Sequence, residues 1–166
     1  MAGQSLSANP TSSPTQMVNW FLKSVIVILA ITAGLKVYAL LGGQMKRAAP
    51  DPVLPAVPVW VVTLTAIVAE SAVLLVLLWR RPAPGQKLMA VAWLGTCFAA
   101  YRALWTLAVP ADYSCPCLGY FLDSLGVPAR VTRSLSLALL GYLLAGAGAG
   151  LMATWRAGAS GAFSRR

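Results

Sequence analysis

The chain has no histidine, only four acidic residues (Asp51, Glu70, Asp112 and Asp123) and only three cysteines in 166 residues. Without histidine there is no imidazole base, no His-ligated haem and little material for a zinc site. Four scattered carboxylates likewise offer little for paired acid–base hydrolysis. Charged residues of both signs make up 10% of the chain, against about 25% in a soluble domain. That is too little to keep a globular surface wetted. What fills the space is apolar: 58% of residues are hydrophobic and the mean hydropathy is +0.73. The charges are clumped, leaving long apolar runs between them, and an integral membrane protein follows.

The net charge of +9 and a pI near 10.1 would suit nucleic acid if the bases formed a patch or stripe. Instead they sit beside the apolar runs, in short connections and at the C-terminus. That placement suits orientation in a bilayer and contact with anionic headgroups. The lipid bilayer, and not nucleic acid, is the expected partner.

Crossing about 30 Å of hydrocarbon takes about 20 helical residues, and four segments qualify. The first runs over about 24–43, closed by Gly42-Gly43 and then Lys46-Arg47. The second runs over about 58–79, between a Pro-rich entry (Pro50, Pro52, Pro55, Pro58) and Arg80-Arg81-Pro82. The third covers about 88–109 before Pro110, and the fourth, about 134–155, carries no charge. The expected fold is all-α, an integral membrane four-helix bundle spanning 17–158. Before it, residues 1–16 are rich in Ser, Thr, Pro and Gln and read as a disordered tail; residues 159–166 read as a basic C-terminal tail. A basic n-region before the first apolar run is nearly absent, so the first helix is expected to remain uncleaved. Trp60, Trp79, Trp105 and Trp155 fall near predicted helix ends, where interfacial aromatics belong. Gly146 and Gly150 form a GxxxG pattern, which favours close packing inside the bundle over a dedicated dimer contact.

Lys and Arg counts orient the spans. One side holds Lys23, Arg80, Arg81, Lys87, Arg156, Arg165 and Arg166; the other holds Lys46, Arg47, Arg130 and Arg133, offset by Asp51, Asp112 and Asp123. The first side is expected to be cytoplasmic. Both termini then lie on the cytoplasmic side, and the connection over about 110–132 faces outward.

That outer connection contains Tyr113-Ser114-Cys115-Pro116-Cys117-Leu118-Gly119. Two thiols one residue apart can close a small disulfide, bind a soft metal or exchange with a partner's disulfide. Pro116 fixes its own φ and restricts Cys115 to extended conformations, so the pair is partly preorganised. An i, i+2 disulfide sits near the limit of allowed Cα separation, and strained, exposed disulfides are the exchange-prone ones. So small a ring constrains little unfolded-state entropy, which argues against a purely stabilising role. Thiolates suit Cu(I), but two ligands rarely make a site, and no metal is assigned. Cys115 and Cys117 are the candidate redox pair. Cys97, inside the third span, reads as a small buried apolar side chain without a role.

Three spans each carry one intramembrane charge: Lys36, Glu70 and Arg102. Each costs several kcal/mol unless paired or hydrated. By a rise of about 1.5 Å per residue, Lys36 and Arg102 belong in the outer half and Glu70 near the middle. Thr32, Thr63, Ala66, Ala99 and Thr106 lie at helical spacings from these charges, on what is expected to be an inward face. A structural ion-pair network that sets helix register is one reading. The other is that the surplus positive charge holds an anionic group, such as a quinone oxygen or a carboxylate, or lowers the pKa of a nearby thiol.

Gly34-Leu35-Lys36, Glu70, Tyr101-Arg102 and Cys115-Pro116-Cys117-Leu118-Gly119, taken in this order, resemble the methylamine-utilisation MauE family, part of the wider DoxX-like group of small four-helix membrane proteins. The resemblance covers roughly Val18 to Trp155. It implies an inner-membrane protein linked to redox or disulfide chemistry. The namesake is implicated in maturing a disulfide-rich periplasmic dehydrogenase subunit, and DoxX-like relatives are associated with quinone-linked sulfur oxidation. The expectation is therefore a redox accessory protein supporting thiol–disulfide exchange in, or maturation of, an extracytoplasmic protein partner. The cofactor is unassigned, with a quinone as the candidate. A self-sufficient disulfide generator needs a second thiol pair, and none is present. A non-enzymatic assembly scaffold and a small transporter are the alternatives.

Overall fold

The computed structural model describes residues 14–42, 49–109 and 126–163 and contains four helices: α1 (Pro14–Leu41), α2 (Val59–Leu78), α3 (Pro84–Ala108) and α4 (Ala129–Phe163). All four are long and apolar enough to cross a membrane. With 20 residues, α2 is about 30 Å long at 1.5 Å per residue, the hydrocarbon thickness itself. The other three overrun it.

Local chemistry explains where the helices stop. Pro58, held extended at φ −64°, ψ 144°, precedes α2. Trp79 ends α2 by turning extended while its N–H still reaches the Leu75 carbonyl, at 2.9 Å. Pro84 occupies the first turn of α3, where its missing N–H is no loss, and Gln86 Oε1 accepts from the Ala83 N–H at 3.1 Å. Lys87 Nζ donates to the Leu77 carbonyl at 2.8 Å, satisfying an orphan acceptor at the end of α2 across the short α2–α3 connection. Gly126, at φ +71°, takes a left-handed turn ahead of Pro128 that a side chain would resist.

Three helices exceed their sequence expectation, α3 by starting at Pro84 rather than about 88. α1 begins at Pro14, inside the segment expected to be a disordered tail, and α4 runs over Ala129–Phe163 rather than 134–155, into the expected basic tail. Hydropathy locates the hydrocarbon-crossing part of a helix. The helix itself continues until a breaker intervenes, and no proline lies within 15–49 or 129–163.

The helices alternate in direction and pack as a ring in the order α1, α2, α3, α4, with α4 returning to α1. Gly150 sits against Leu88 and Gly95 against Leu144, so α3 and α4 run antiparallel; Phe21 meets Gly146, so α1 and α4 do too. The main core lies in the half of the bundle nearest the α2–α3 connection. Val18, Leu22, Val25 and Leu29 of α1 meet Val73 and Leu77 of α2, Leu88, Val91 and Leu94 of α3, and Leu143 and Ala147 of α4. In the opposite half, nearest the α1–α2 connection, the described residues form a small apolar cluster of Ala39 and Val59.

Burial is inverted relative to a soluble bundle. Leu107 is 85% exposed, and Val27, Ile31, Val68, Leu75 and Met152 also face outward, whereas Lys36, Glu70 and Arg102 are buried at 5%, 2% and 8% exposure. Lipid explains both facts. It solvates apolar side chains as well as a protein interior does, while charges find partners only inside.

Trp60, Trp79 and Trp155 stand exposed, as interfacial aromatics should, but Trp105 is buried. Its ring lies 6.3 Å from that of Tyr101. Trp20, not singled out by the sequence reading, is also exposed near the start of α1, with Lys23 Nζ 5.7 Å above its ring.

Candidate functional site: a buried charge cluster

The three intramembrane charges converge. Lys36 projects from α1 and meets Glu70 of α2, Nζ to Oε1, at 2.5 Å, with both side chains buried. The ammonium also lies 5.5 Å from the centre of the Phe98 ring of α3, a favourable cation–π distance. Arg102, one turn beyond Phe98, faces the same interior space.

That space is a cavity of about 70 Å³ bounded by all four helices, with Thr32, Lys36, Glu70, Phe98, Arg102 and Ser136 on its wall and leucines of α1 and α4 closing the rest. It is far smaller than the roughly 300–1,000 Å³ of an organic-ligand pocket. Its size suits water or a small ion. Its polar groups are only partly satisfied: Glu70 Oε2 and the Arg102 Nε and Nη1 atoms are buried without a hydrogen-bond partner. Thr32 and Ser136 hydroxyls are committed to backbone carbonyls of their own helices, Leu29 at 3.2 Å and Thr132 at 2.9 Å respectively.

Lys36 and Phe98 also belong to the wall of a second space, a groove of about 500 Å³ between α2 and α3 that opens sideways. Val61, Val62, Ala66 and Ala69 of α2 face Trp93, Cys97 and Tyr101 of α3 across it. The two residues therefore form the partition between the charged cavity and the lateral apolar groove.

Most of the expected inward face holds. Thr63 is buried, with its hydroxyl on the Val59 carbonyl at 3.0 Å, and Thr32 lines the cavity. Thr106 departs from it: this residue is exposed, and Trp105 is the one turned inward. Cys97 also departs, being exposed on the groove rather than buried. At residue 97 the helix face turns toward the gap between α2 and α3, which periodicity within one helix cannot reveal. Cys115 and Cys117 lie outside the described residues.

Asp51 is a site residue that the sequence reading used only as a charge. It is fully buried. Its Oδ1 accepts from the backbone N–H groups of Val53 at 2.8 Å and Leu54 at 3.0 Å, and its Oδ2 from the Tyr101 hydroxyl at 2.8 Å. Backbone bonds from Asp51 to Val57 at 2.9 Å and from Val59 to Ala49 at 3.0 Å fold the connection back on itself. Asp51 thus builds the α1–α2 turn and ties it to α3 one residue before Arg102. The signal was present in Asp51-Pro52, since an Asp ahead of proline in a Pro-rich stretch is a turn-forming side chain.

The architecture defines a multi-pass membrane protein, a four-helix bundle with an interior ion pair and an adjoining guanidinium whose Nε and Nη1 have no hydrogen-bond partner. No protein-family model, curated protein or solved structure matches the chain.

Proposed function

We propose that this protein is a membrane redox accessory factor in which Cys115 and Cys117 exchange disulfides with an extracytoplasmic protein, as the resemblance to the MauE and DoxX-like proteins implies. The observation that carries the reading is Cys115-Pro116-Cys117, the only closely spaced thiol pair in the chain. In the sequence it falls between α3 and α4. The exchange is balanced: a client dithiol becomes a disulfide while the Cys115–Cys117 disulfide becomes two thiols. Returning the pair to its oxidised form releases two electrons and two protons, taken up by a partner oxidoreductase or a quinone. The α2–α3 groove has the volume of an organic-ligand pocket and opens sideways, which fits a bilayer-soluble quinone; Lys36, Thr63, Thr65 and Tyr101 are polar groups on its wall. A bound quinone would supply the two-electron acceptor.

On this reading the protein sits in a bacterial inner membrane with both termini cytoplasmic and the thiol pair outside, and Lys36, Glu70 and Arg102 organise the bundle beneath it. A transporter is less well supported, because the described helices run unbroken whereas transporter sites form at broken ones. A scaffold role, with the cysteines as local structure, is separated by mutation.

The test is labelling of intact cells with a membrane-impermeant maleimide in a Cys97→Ala background, with and without prior reduction. Labelling of Cys115 and Cys117 only after reduction is the expected result. Cys115→Ser and Cys117→Ser should then each abolish client oxidation. Full activity in the double variant sinks the redox reading and leaves the scaffold. Labelling only after permeabilisation inverts the topology and removes the extracytoplasmic partner.

A further inference from the structure

Among the described residues the interior charges do not balance. Lys36 and Glu70 cancel as an ion pair, and Arg102 adds one positive charge on the wall of the same cavity. Among the described residues the only other acid is Asp51, already committed to Tyr101 and to two backbone N–H groups. Arg102 is 92% buried, taking its 8% exposure from the whole, and its Nε and Nη1 hydrogens are unspent. Water in the cavity could use those hydrogens but would bring no charge. Apart from Thr32, Ser136 and the Lys36–Glu70 pair, the surrounding wall is leucine, isoleucine and phenylalanine, so the guanidinium is less screened than at a wetted surface. An uncompensated charge in such a place costs several kcal/mol.

We infer that the cavity between the four helices is a binding site for a small monovalent anion, a halide or a one-carbon carboxylate, held by Arg102 beside the Lys36–Glu70 pair. One surplus positive charge calls for one negative charge, which disfavours a dianion. The volume of about 70 Å³ restricts the ligand to a few heavy atoms. Arginine is suited to the role because its charge persists at any physiological pH and its planar fork donates in fixed directions. The unpartnered Glu70 Oε2 repels an anion and keeps it on the Arg102 side, while a co-bound water satisfies that oxygen. The Lys36–Phe98 partition closes the site toward the α2–α3 groove. This inference stands on the cavity alone and is independent of the cysteine chemistry.

The full chain in nanodiscs of zwitterionic lipid, exchanged into gluconate, is titrated at matched ionic strength with chloride, formate or sulfate. Two quantities are read: the NMR resonance of the Arg102 Nε–H and the melting temperature. The expected result is a saturable change in both with chloride, formate or each of them, and none with sulfate or gluconate. Chloride alone would identify a spherical site and formate alone a carboxylate site. In R102Q the anion response should vanish, and this variant should melt higher than the parent in gluconate because its buried charge is gone. The inference is overturned by an Arg102 resonance that ignores every anion, by an equal response to sulfate, or by a melting shift that survives in R102Q. The resonance in the parent chain decides the matter even where the variant fails to fold.

Discussion

In the half of the bundle near the α2–α3 connection, contacts are made by shape. Phe21 lies over Gly146, Leu88 over Gly150 and Leu144 over Gly95, and the aliphatic core of α1 and α3 fills the space between. In the half near the α1–α2 connection, contacts are made by charge and hydrogen bonding: Lys36 to Glu70, Tyr101 to Asp51, and a cavity where Arg102 Nε and Nη1 have no hydrogen-bond partner. Lipid tails are as apolar as leucine, so no hydrophobic force draws membrane helices together. Close packing of small residues and interior polar bonds remain as the two available means, and this chain uses one in each half. The first leaves an almost wholly apolar space of about 480 Å³ beside Phe21 and Gly146, in which Ser24 and Tyr142 are already bonded to each other. The second leaves groups poised for chemistry.

The sharpest way to break the polar half is to remove the acid. Glu70→Ala leaves two buried cations facing each other and should cost about 3–5 kcal/mol, the range for orphaning one member of a buried pair. Denaturant titration in mixed micelles measures it. The combined replacement Lys36→Met with Glu70→Leu should recover most of that loss, because a well-packed apolar pair substitutes for a buried ion pair. A single variant within 1 kcal/mol of the parent would show that the pair is hydrated rather than buried.

The shape-packed half breaks by overfilling. Gly146→Val drives a side chain into the Phe21 ring and should cost about 1–3 kcal/mol. Gly141→Ala and Gly148→Ala, where an added Cβ meets nothing within 4 Å, should be close to neutral in the same assay. Glycine entropy alone would make all three replacements neutral or slightly stabilising, so a loss confined to Gly146→Val isolates the α1–α4 contact.

A smaller effect tests the tie between the turn and α3. Tyr101→Phe deletes one hydrogen bond to Asp51 and should lower stability by about 1 kcal/mol, with faster amide exchange at Val53 and Leu54. The smallest change is expected at the lipid-facing groove. Cys97→Ala should alter stability by less than about 0.5 kcal/mol, which is what makes it a usable background for labelling Cys115 and Cys117.

How far the site could be read from the chain depends on the range of the interaction. Lys36, Glu70 and Arg102 were legible because an ionisable residue in an apolar run is conspicuous wherever it points. Their partners were not. Whether Lys36 reached Glu70 or snorkelled outward depended on the rotation of α1 against α2, and Trp105 and Thr106 exchanged their expected positions for the same reason. Asp51 was visible as a turn former, yet its bond to Tyr101 joins residues fifty positions apart, and nothing local announces that contact.

The amino-acid sequence by itself determined a membrane protein of four helices, the approximate spans, the three interior charges and the placement of a thiol pair in one connection. These follow from hydropathy, proline and glycine punctuation and the energetic penalty of charge in hydrocarbon, all of which act within one helix or turn. Only the tertiary structure decided that Lys36 pairs with Glu70, that Arg102 is left over, that Gly146 and Gly150 serve packing inside the bundle, and that a cavity remains between the helices. Those outcomes depend on how each helix is rotated about its axis. In a bilayer every face of an apolar helix is tolerated, so the rotation is settled by the few small and polar residues that must find one another.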